Sequence, residues 1–169
     1  REKVKKLDAV IFTHAHKDHT AGLDNVRAFN YLAKEKMDVY ATKLVQEALK
    51  NEFPYAFDGS NYPGIPKIEF LTLTTEPFEI NGIRIIPIQV YHYHLPVLGF
   101  RINDFTYITD ANFIHDSEKE KIKGSKILVL NALRKEKHVS HFTLEEAIEM
   151  INELNPEVGY LTHISHQLG

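Results

Sequence analysis

The chain contains no cysteine among its 169 residues. This absence excludes disulfide bonds, zinc sites built from thiolates and a cysteine nucleophile. Ten histidines remain as the borderline-soft ligands that a transition metal could use. A metal site in this chain must therefore be built from imidazole and carboxylate groups.

Long apolar runs and an excess of positive charge are also lacking. No apolar stretch approaches the roughly 20 residues that cross a bilayer, and no charged-then-apolar leader is present. The net charge of −3 offers no broad basic surface for nucleic acid, so an anionic substrate must be held locally. With 43% hydrophobic and 25% charged residues, the composition is that of one soluble globular domain, residues 1–169, and we expect a cytoplasmic protein.

An apolar run over residues 9–12 is followed by three histidines and one aspartate within the next seven residues. Side chains in a strand alternate with a period of two, so His14 and His16 should point the same way. The turn that follows can fold Asp18 and His19 back beside them. Neutral imidazole and carboxylate are the ligands that zinc takes when no thiolate is available. The alternative is a solvated histidine-rich turn, but the position after a buried strand favours a metal site.

Further polar residues occupy similar places along the chain. His92, Asp110 and His163 each follow an apolar strand, and His141 lies in the loop before a helix. One such histidine is more often a core residue than a ligand. Strand ends at one rim of a sheet converge on a common crevice, so the set as a whole predicts a single site.

The spacing of apolar residues predicts alternating strands and helices. Asn-Gly at 81–82 and Asn-Asp at 103–104 predict the turns of two antiparallel hairpins. Residues 54–66, rich in proline and glycine, predict an irregular loop that could border a pocket. The predicted strands are 8–13, 38–41, 78–80, 83–90, 99–102, 105–109, 126–130 and 158–162, and the predicted helices are 20–36, 43–53, 116–123 and one that begins with the capping box at 143–146 and ends before Pro156.

Residues 13–22, Thr-His-Ala-His-Lys-Asp-His-Thr-Ala-Gly, resemble the signature of the metallo-β-lactamase superfamily. The downstream residues His92, Asp110 and His163 follow in the order in which that family places its remaining ligands. The segments after His92, before Asp110 and around His163 are most similar to the PhnP group, whose namesake is a phosphoribosyl cyclic phosphate phosphodiesterase. The resemblance covers essentially the whole chain. It implies an α/β fold (α+β layered), a four-layer αββα sandwich.

The resemblance also implies two divalent metal ions, most readily zinc, with manganese and iron as alternatives. Hydroxide generated on the ions would attack phosphorus, and Asp18 would help to orient it. His141, which matches a histidine kept near the scissile phosphate in the PhnP group and in ribonuclease Z, would protonate the leaving alkoxide. The implied metal ligands are His14, His16 and His92 for one ion, Asp18, His19 and His163 for the other, and Asp110 as the bridge.

Three departures from the family pattern are informative. The family's first strands precede the histidine signature and are not found here, so we expect a domain without its N-terminal strands; a missing last C-terminal strand stays open. Asp110 stands where class B lactamases need cysteine, which argues against β-lactam hydrolysis. Residues 93–109 leave no room for the tRNA-gripping arm of many ribonuclease Z enzymes.

The sequence therefore predicts a dinuclear metal-dependent phosphodiesterase of a small, cyclic phosphate ester, with no membrane or nucleic-acid partner and with a homodimer left open. The alternatives are a ribonuclease Z-like RNA-processing nuclease and a non-catalytic metal-binding domain. His166 could form a hydrogen bond that orients one of the metal ligands, or it could bind an extra metal ion. His94 is interpreted as a surface residue that could reach substrate, and His115 and His138 as solvated side chains.

Overall fold

The computed structural model describes residues 4–59, 62 and 64–168, and the chain divides into two compact units, Arg1–Thr74 and Thr75–Gly169. Each unit contains its own sheet and its own helices. The expected mixed α/β architecture is therefore confirmed within each unit. In the described ranges, none of the helices combines the length and the apolar character that a membrane span requires.

The first unit is built on a parallel three-stranded sheet with the order β1-β2-β3. In the middle strand, Val39 and Ala41 are fully buried, and they pack with Leu49 in one apolar cluster. Thr42 caps the helix that carries Leu49 by accepting a hydrogen bond from the backbone N–H of Val45. The elements are β1 Ala9–Ile11, α1 Lys17–Thr20, a 3₁₀ turn Leu23–Val26, α2 Arg27–Ala33, β2 Met37–Ala41, α3 Lys43–Glu52, a 3₁₀ turn Pro54–Ala56 and β3 Ile68–Thr72.

The first unit differs from the sequence prediction in three places. The strand predicted over 8–13 is the shorter β1, Ala9–Ile11, which pairs with β2 in the described part of the chain. The single helix predicted over 20–36 is broken into α1, a 3₁₀ turn and α2, with Gly22 at the break. Strand β3 is absent from the predicted strands, although Ile68 and Phe70 alternate with more polar neighbours as in a half-buried strand.

The second unit contains a mixed sheet of seven strands with the order β10-β9-β7-β6-β5-β4, and β8 pairs with β5. Neighbouring strands from β4 to β7 are antiparallel, as predicted, whereas β7, β9 and β10 are parallel. The elements are β4 Phe78–Ile80, β5 Ile83–His92, β6 Leu95–Ile102, β7 Phe105–Tyr107, β8 Phe113–Ile114, α4 Asp116–Ile122, β9 Ile127–Asn131, α5 Leu144–Leu154 and β10 Val158–Thr162.

Local sequence signals explain the turns of the second unit. Asn81 and Gly82 both have positive φ, 50° and 77°, as a primed hairpin turn requires. Both bonds of the predicted capping box are formed at α5: the N–H of Glu146 donates to Thr143 Oγ1, and the N–H of Thr143 donates to Glu146 Oε2. Asn155, at φ 48°, ends the helix in the left-handed region. Helix α5 thereby begins directly after the segment that carries His141.

Candidate metal centre

The first unit gathers the residues of the signature cluster, which we define as His14, His16, Asp18 and His19. The ring centres of His14 and His16 lie 4.6 Å apart, and those of His14 and His19 lie 4.4 Å apart. Asp18 Oδ2 lies 3.2 Å from His19 Nε2. Three imidazoles and one carboxylate are thus close together within a single unit.

Backbone hydrogen bonds explain why the residues of the signature cluster lie close together. The carbonyl oxygen of His16 accepts from the N–H groups of His19 at 3.0 Å and Thr20 at 3.1 Å, which forms the first turn of α1. This turn folds Asp18 and His19 back toward the end of β1, as the sequence predicts. Thr13 Oγ1 lies 3.0 Å from His14 Nδ1, so the hydroxyl helps to fix the ring of His14, which is only 2% exposed.

In the second unit, the centre of the site is the carboxylate of Asp110, which is 2% exposed. Its Oδ1 lies 3.0 Å from His141 Nε2 and 3.1 Å from His163 Nε2. Its Oδ2 accepts a hydrogen bond of 2.7 Å from Thr109 Oγ1. We call Asp110, His141 and His163 the carboxylate cluster; one ligand atom from each lies within 4.8 Å of the others.

The backbone at the carboxylate cluster is held in an uncommon conformation. Asp110 and His163 have φ values of 54° and 55°, in the left-handed region that costs a residue with a side chain about 1–3 kcal/mol. Asn131, at the end of β9, holds the residue after Asp110 through two hydrogen bonds with the backbone of Ala111. Such strain persists only where surrounding contacts determine it, and it is characteristic of functional sites.

The orientation of His92 is set by the loop that carries His141. His92 Nδ1 lies 2.9 Å from the carbonyl oxygen of Ser140, which can only accept, so Nδ1 carries the proton. When the ring is neutral, this leaves the lone pair on Nε2, the form in which imidazole binds a metal. The rings of His92 and His141 meet edge to face at 4.5 Å.

His138 was interpreted from the sequence as a solvated side chain and not as a site residue, but the structure places it beside His141. It is half-buried, and its Nδ1 lies 3.1 Å from Nδ1 of His141. Burial lowers the pKa of His138, and electrostatic interactions with His141 and Arg134 lower it further. The spacing His138-x-x-His141 was the available signal, but it is too common to identify a contact.

The remaining predicted residues lie outside these clusters. His94 is exposed, and its ring contacts that of Tyr93 in a tilted arrangement, with ring centres 3.7 Å apart. His166 is also exposed, and it belongs to none of the candidate ligand groups among the described residues. That His166 orients a metal ligand or binds an extra metal ion stays a prediction.

The donor set of each unit fits a divalent metal ion. Histidine nitrogen and carboxylate oxygen are ligands for zinc, manganese and iron alike, so their chemistry does not choose among these ions. His14, His16, Asp18 and His19 belong to the first unit, whereas His92, Asp110 and His163 belong to the second. The convergence of all seven on two ions stays a prediction.

Comparison with known proteins gives the family. A family described as "Beta-lactamase superfamily domain" matches residues 1–164 of the chain. The chain belongs to the metallo-β-lactamase superfamily. This membership agrees with the fold and the metal-dependent hydrolase chemistry that the signature implies.

Two relatives of this superfamily member share about a third of its sequence. A diphosphatase of the PhnP family has 33% identity and a TM-score of 0.88, over 98% of this chain and 63% of that structure. An octanoyltransferase of Porphyromonas gingivalis is 33% identical over 96% of this chain, which corresponds to 33% of that protein. The chain thus spans about a third of the curated relative and less than two thirds of the diphosphatase.

Human tRNase Z, short form, shares only the fold with this superfamily member. Its TM-score is 0.73 at 14% identity, over 94% of this chain and 73% of that structure. At this identity the likeness concerns the arrangement of strands and helices and not the substrate.

Proposed function

We propose that this domain is a metal-dependent hydrolase that cleaves a phosphorus–oxygen bond in a small phosphodiester or diphosphate. The observation that carries the proposal is the carboxylate cluster, in which buried Asp110 lies within 3.0–3.1 Å of two imidazole nitrogens. The similarity to a PhnP-family diphosphatase over nearly the whole chain supports the same class of bond. A cyclic phosphate on a sugar is our preferred substrate, as the sequence resemblance implies.

The resemblance assigns the metal ligands. Bound divalent ions would supply Lewis acidity and offset the negative charge of the phosphoryl oxygens. Asp110 would bridge both ions, and the Nε2 lone pair of His92 would face one of them. The other ligands that we propose are His14 and His16 with His92, and Asp18 and His19 with His163.

His141 is the residue of this chain that we propose to move a proton. A water oxygen forms the new bond to phosphorus while the bond to the leaving oxygen breaks, and that oxygen needs a proton. His141 would give the proton on Nε2 to the leaving oxygen and regain one from the water. Its Nε2 lies 3.0 Å from the buried carboxylate of Asp110, so this nitrogen faces the proposed metal ligands and not the solvent.

A second candidate is hydrolysis of an octanoyl ester or thioester. The 33% identity to part of an octanoyltransferase favours it. Both candidates need a nucleophilic water, but an acyl substrate carries no phosphoryl charge for two ions to offset. Ribonuclease Z-like RNA cleavage has only the shared fold to support it, and the net charge of −3 does not favour binding of RNA.

The deciding experiment uses the full-length protein, reconstituted separately with zinc, manganese and iron(II). Hydrolysis is measured on bis-p-nitrophenyl phosphate, a nucleoside cyclic phosphate, a dinucleoside diphosphate, a short RNA and p-nitrophenyl octanoate. We expect turnover of a phosphorus substrate that Asp110→Asn reduces at least 100-fold and that Asp116→Asn, a change at an exposed position, leaves intact. Turnover of the octanoyl ester alone would establish the second candidate instead, and a metal-loaded protein that hydrolyses none of these compounds would refute both.

A further inference from the structure

A short loop places a second histidine directly behind His141. Nδ1 of His138 lies 3.1 Å from Nδ1 of His141, and the two ring centres are 5.0 Å apart. On its other side, His141 directs Nε2 toward Asp110. The two ring nitrogens of His141 therefore have separate partners: Nε2 faces the carboxylate, and Nδ1 faces His138 and the hydroxyl of Ser140, whose Oγ lies 3.1 Å away.

Hydrogen-bond donors fix the position of the protons in this pair. The backbone N–H of Ser140 points at Nδ1 of His138 from 3.3 Å, and a backbone N–H can only donate. Nδ1 of His138 must therefore be an acceptor, and the proton of its neutral ring is on Nε2. Two lone pairs facing each other at 3.1 Å would repel, so we assign a proton to Nδ1 of His141, where it faces both His138 Nδ1 and Ser140 Oγ, each at 3.1 Å.

We propose that His138 is a positioning residue that holds His141 as the Nδ1–H form, so that Nε2 is the nitrogen that exchanges protons with the substrate. The proposal rests on the proposed function for its catalytic meaning but not for its proton assignment. In this arrangement the acceptor that faces Nδ1 of His141 is a neutral imidazole. A carboxylate in the same position would add a second negative charge near Asp110. The lowered pKa of His138 agrees with this role, because protonation at Nδ1 would cost both hydrogen bonds that it accepts.

The loop that carries His138 is itself fixed by side-chain contacts. The guanidinium of Arg134 donates to the carbonyl oxygens of Glu136 and Lys137, both at 3.3 Å, and to Gln167 Oε1 at 2.9 Å. Asn112 Nδ2 donates to the carbonyl oxygen of Val139 at 3.3 Å. These contacts hold the loop on both sides of His138, so its ring has little freedom to leave His141.

The test compares three variants of the full-length, zinc-loaded protein. His138→Ala removes the acceptor, whereas His138→Asn keeps an oxygen near the position of Nδ1. Val139→Ala is the control, because this neighbouring side chain is 62% exposed. Long-range ¹H–¹⁵N spectra of the histidine rings report which nitrogen of His141 is protonated, and kcat and KM are measured on the best phosphorus substrate.

We expect the Nδ1–H form of His141 in the wild type, in His138→Asn and in Val139→Ala, and a mixture of both forms in His138→Ala. The Ala variant should lose about 10–100-fold in kcat with little change in KM, as is typical for partners of catalytic or ligating histidines. Asn should restore kcat to within about threefold of the wild type, a recovery that loss of packing alone does not predict.

A ring of His141 that carries a proton on Nε2 and none on Nδ1 in the wild type would overturn the proposal, and so would equal losses in the Ala and Asn variants. A wild-type protein without phosphorus hydrolase activity would refute the proposed function alone. The ring spectra would then still decide whether His138 sets the proton position of His141.

Discussion

Asn131 clamps the backbone of Ala111 with two hydrogen bonds: its Oδ1 accepts from the N–H at 2.8 Å, and its Nδ2 donates to the carbonyl oxygen at 2.9 Å. The same carbonyl oxygen accepts from the N–H of Phe142 at 2.8 Å. Ala111 follows Asp110, and Phe142 follows His141. The clamp therefore stabilises the strained turn at Asp110 and brings it beside His141.

We expect Asn131→Leu to destabilise the protein by about 2–5 kcal/mol, because it leaves buried polar groups of Ala111 without their partner. Asn131→Asp should cost less, since the carboxylate still accepts from the N–H. Urea unfolding measures both changes. Asn152→Leu, at an exposed position of α5, is the control, and equal losses at positions 131 and 152 would disprove the clamp.

Gly99 and Gly22 allow the same substitution to be compared at a crowded position and at an open one. A Cβ at Gly99 would lie 2.9 Å from the carbonyl oxygen of Tyr107 and 2.8 Å from Cγ1 of Ile108, whereas a Cβ at Gly22 meets nothing within 4 Å. Gly99→Ala should therefore cost about 1–3 kcal/mol of stability, as overpacking does. Gly22 has φ −78°, so Gly22→Ala should be neutral or stabilise by up to about 1 kcal/mol. Thermal unfolding distinguishes the two, and a neutral Gly99→Ala would contradict the close packing of β6 on β7.

The local features of this chain could be predicted from the sequence because each depends on neighbouring residues. The turn after His16, the Asn81-Gly82 hairpin and the capping box at Thr143 all follow from short-range geometry. The capping box predicted at Thr143 also specified the two hydrogen bonds that form there, each between one side chain and the backbone N–H of the other residue.

The contacts that organise the carboxylate cluster could not be predicted in the same way. The clamp by Asn131 joins residues 20 positions apart, and no periodicity marks a buried asparagine as a backbone partner. His138 is among charged residues in the sequence, and its position beside His141 depends on the loop to which Arg134 donates hydrogen bonds. Burial and hydrogen bonding here are properties of the tertiary fold, so composition alone misassigns them.

The leaving group should reveal the role of His141 in catalysis. His141→Ala should lower turnover by about 10²–10⁴-fold for an alkyl phosphodiester but much less for a p-nitrophenyl ester, because only the alkoxide needs a proton. Metal content, measured by mass spectrometry, should be unchanged. Equal losses on both substrates would instead assign His141 to positioning of the phosphate.

Lys119 should make stability depend on alkaline pH. Its Nζ donates to both carboxylate oxygens of Glu153, at 2.8 and 2.9 Å, and this contact, with help from Asp116, raises the pKa of Lys119 against the opposing effect of burial. The stabilisation is complete below the unfolded pKa near 10.5 and is lost as the pH rises through the higher folded value.

We therefore expect Lys119→Met to cost up to about 1 kcal/mol at pH 8, since Glu153 is half exposed and solvent screens the pair. The difference from the wild type should shrink as the pH rises through the folded pKa of Lys119, which lies above 10.5. Lys123→Met, at a more exposed ion pair, is the control and should change stability by less than about 0.5 kcal/mol. A loss at Lys119 that does not depend on pH would indicate packing instead of charge.

Metal binding should stabilise the folded protein through Asp110. An ion that binds only the folded state adds about 2.7 kcal/mol at a free concentration of 100 times Kd. For a domain of this size this corresponds to a rise in Tm of roughly 5–10 °C. We expect zinc, added to the chelator-treated full-length protein, to produce such a rise. Asp110→Asn should abolish at least half of it, because the amide replaces the buried carboxylate that faces His141 and His163.

Asp116→Asn is the matched control for this metal prediction, because it removes one carboxylate from the same unit at a position whose side chain is 97% exposed. Its response to zinc should equal that of the wild type, whereas the Asp110 variant should also need more zinc to reach half of its maximal shift. Calorimetric titration at constant pH separates affinity from stoichiometry. If Asp110→Asn binds as much zinc as the wild type with the same affinity, Asp110 is not a metal ligand, and the carboxylate instead serves only to orient the two imidazoles that it contacts.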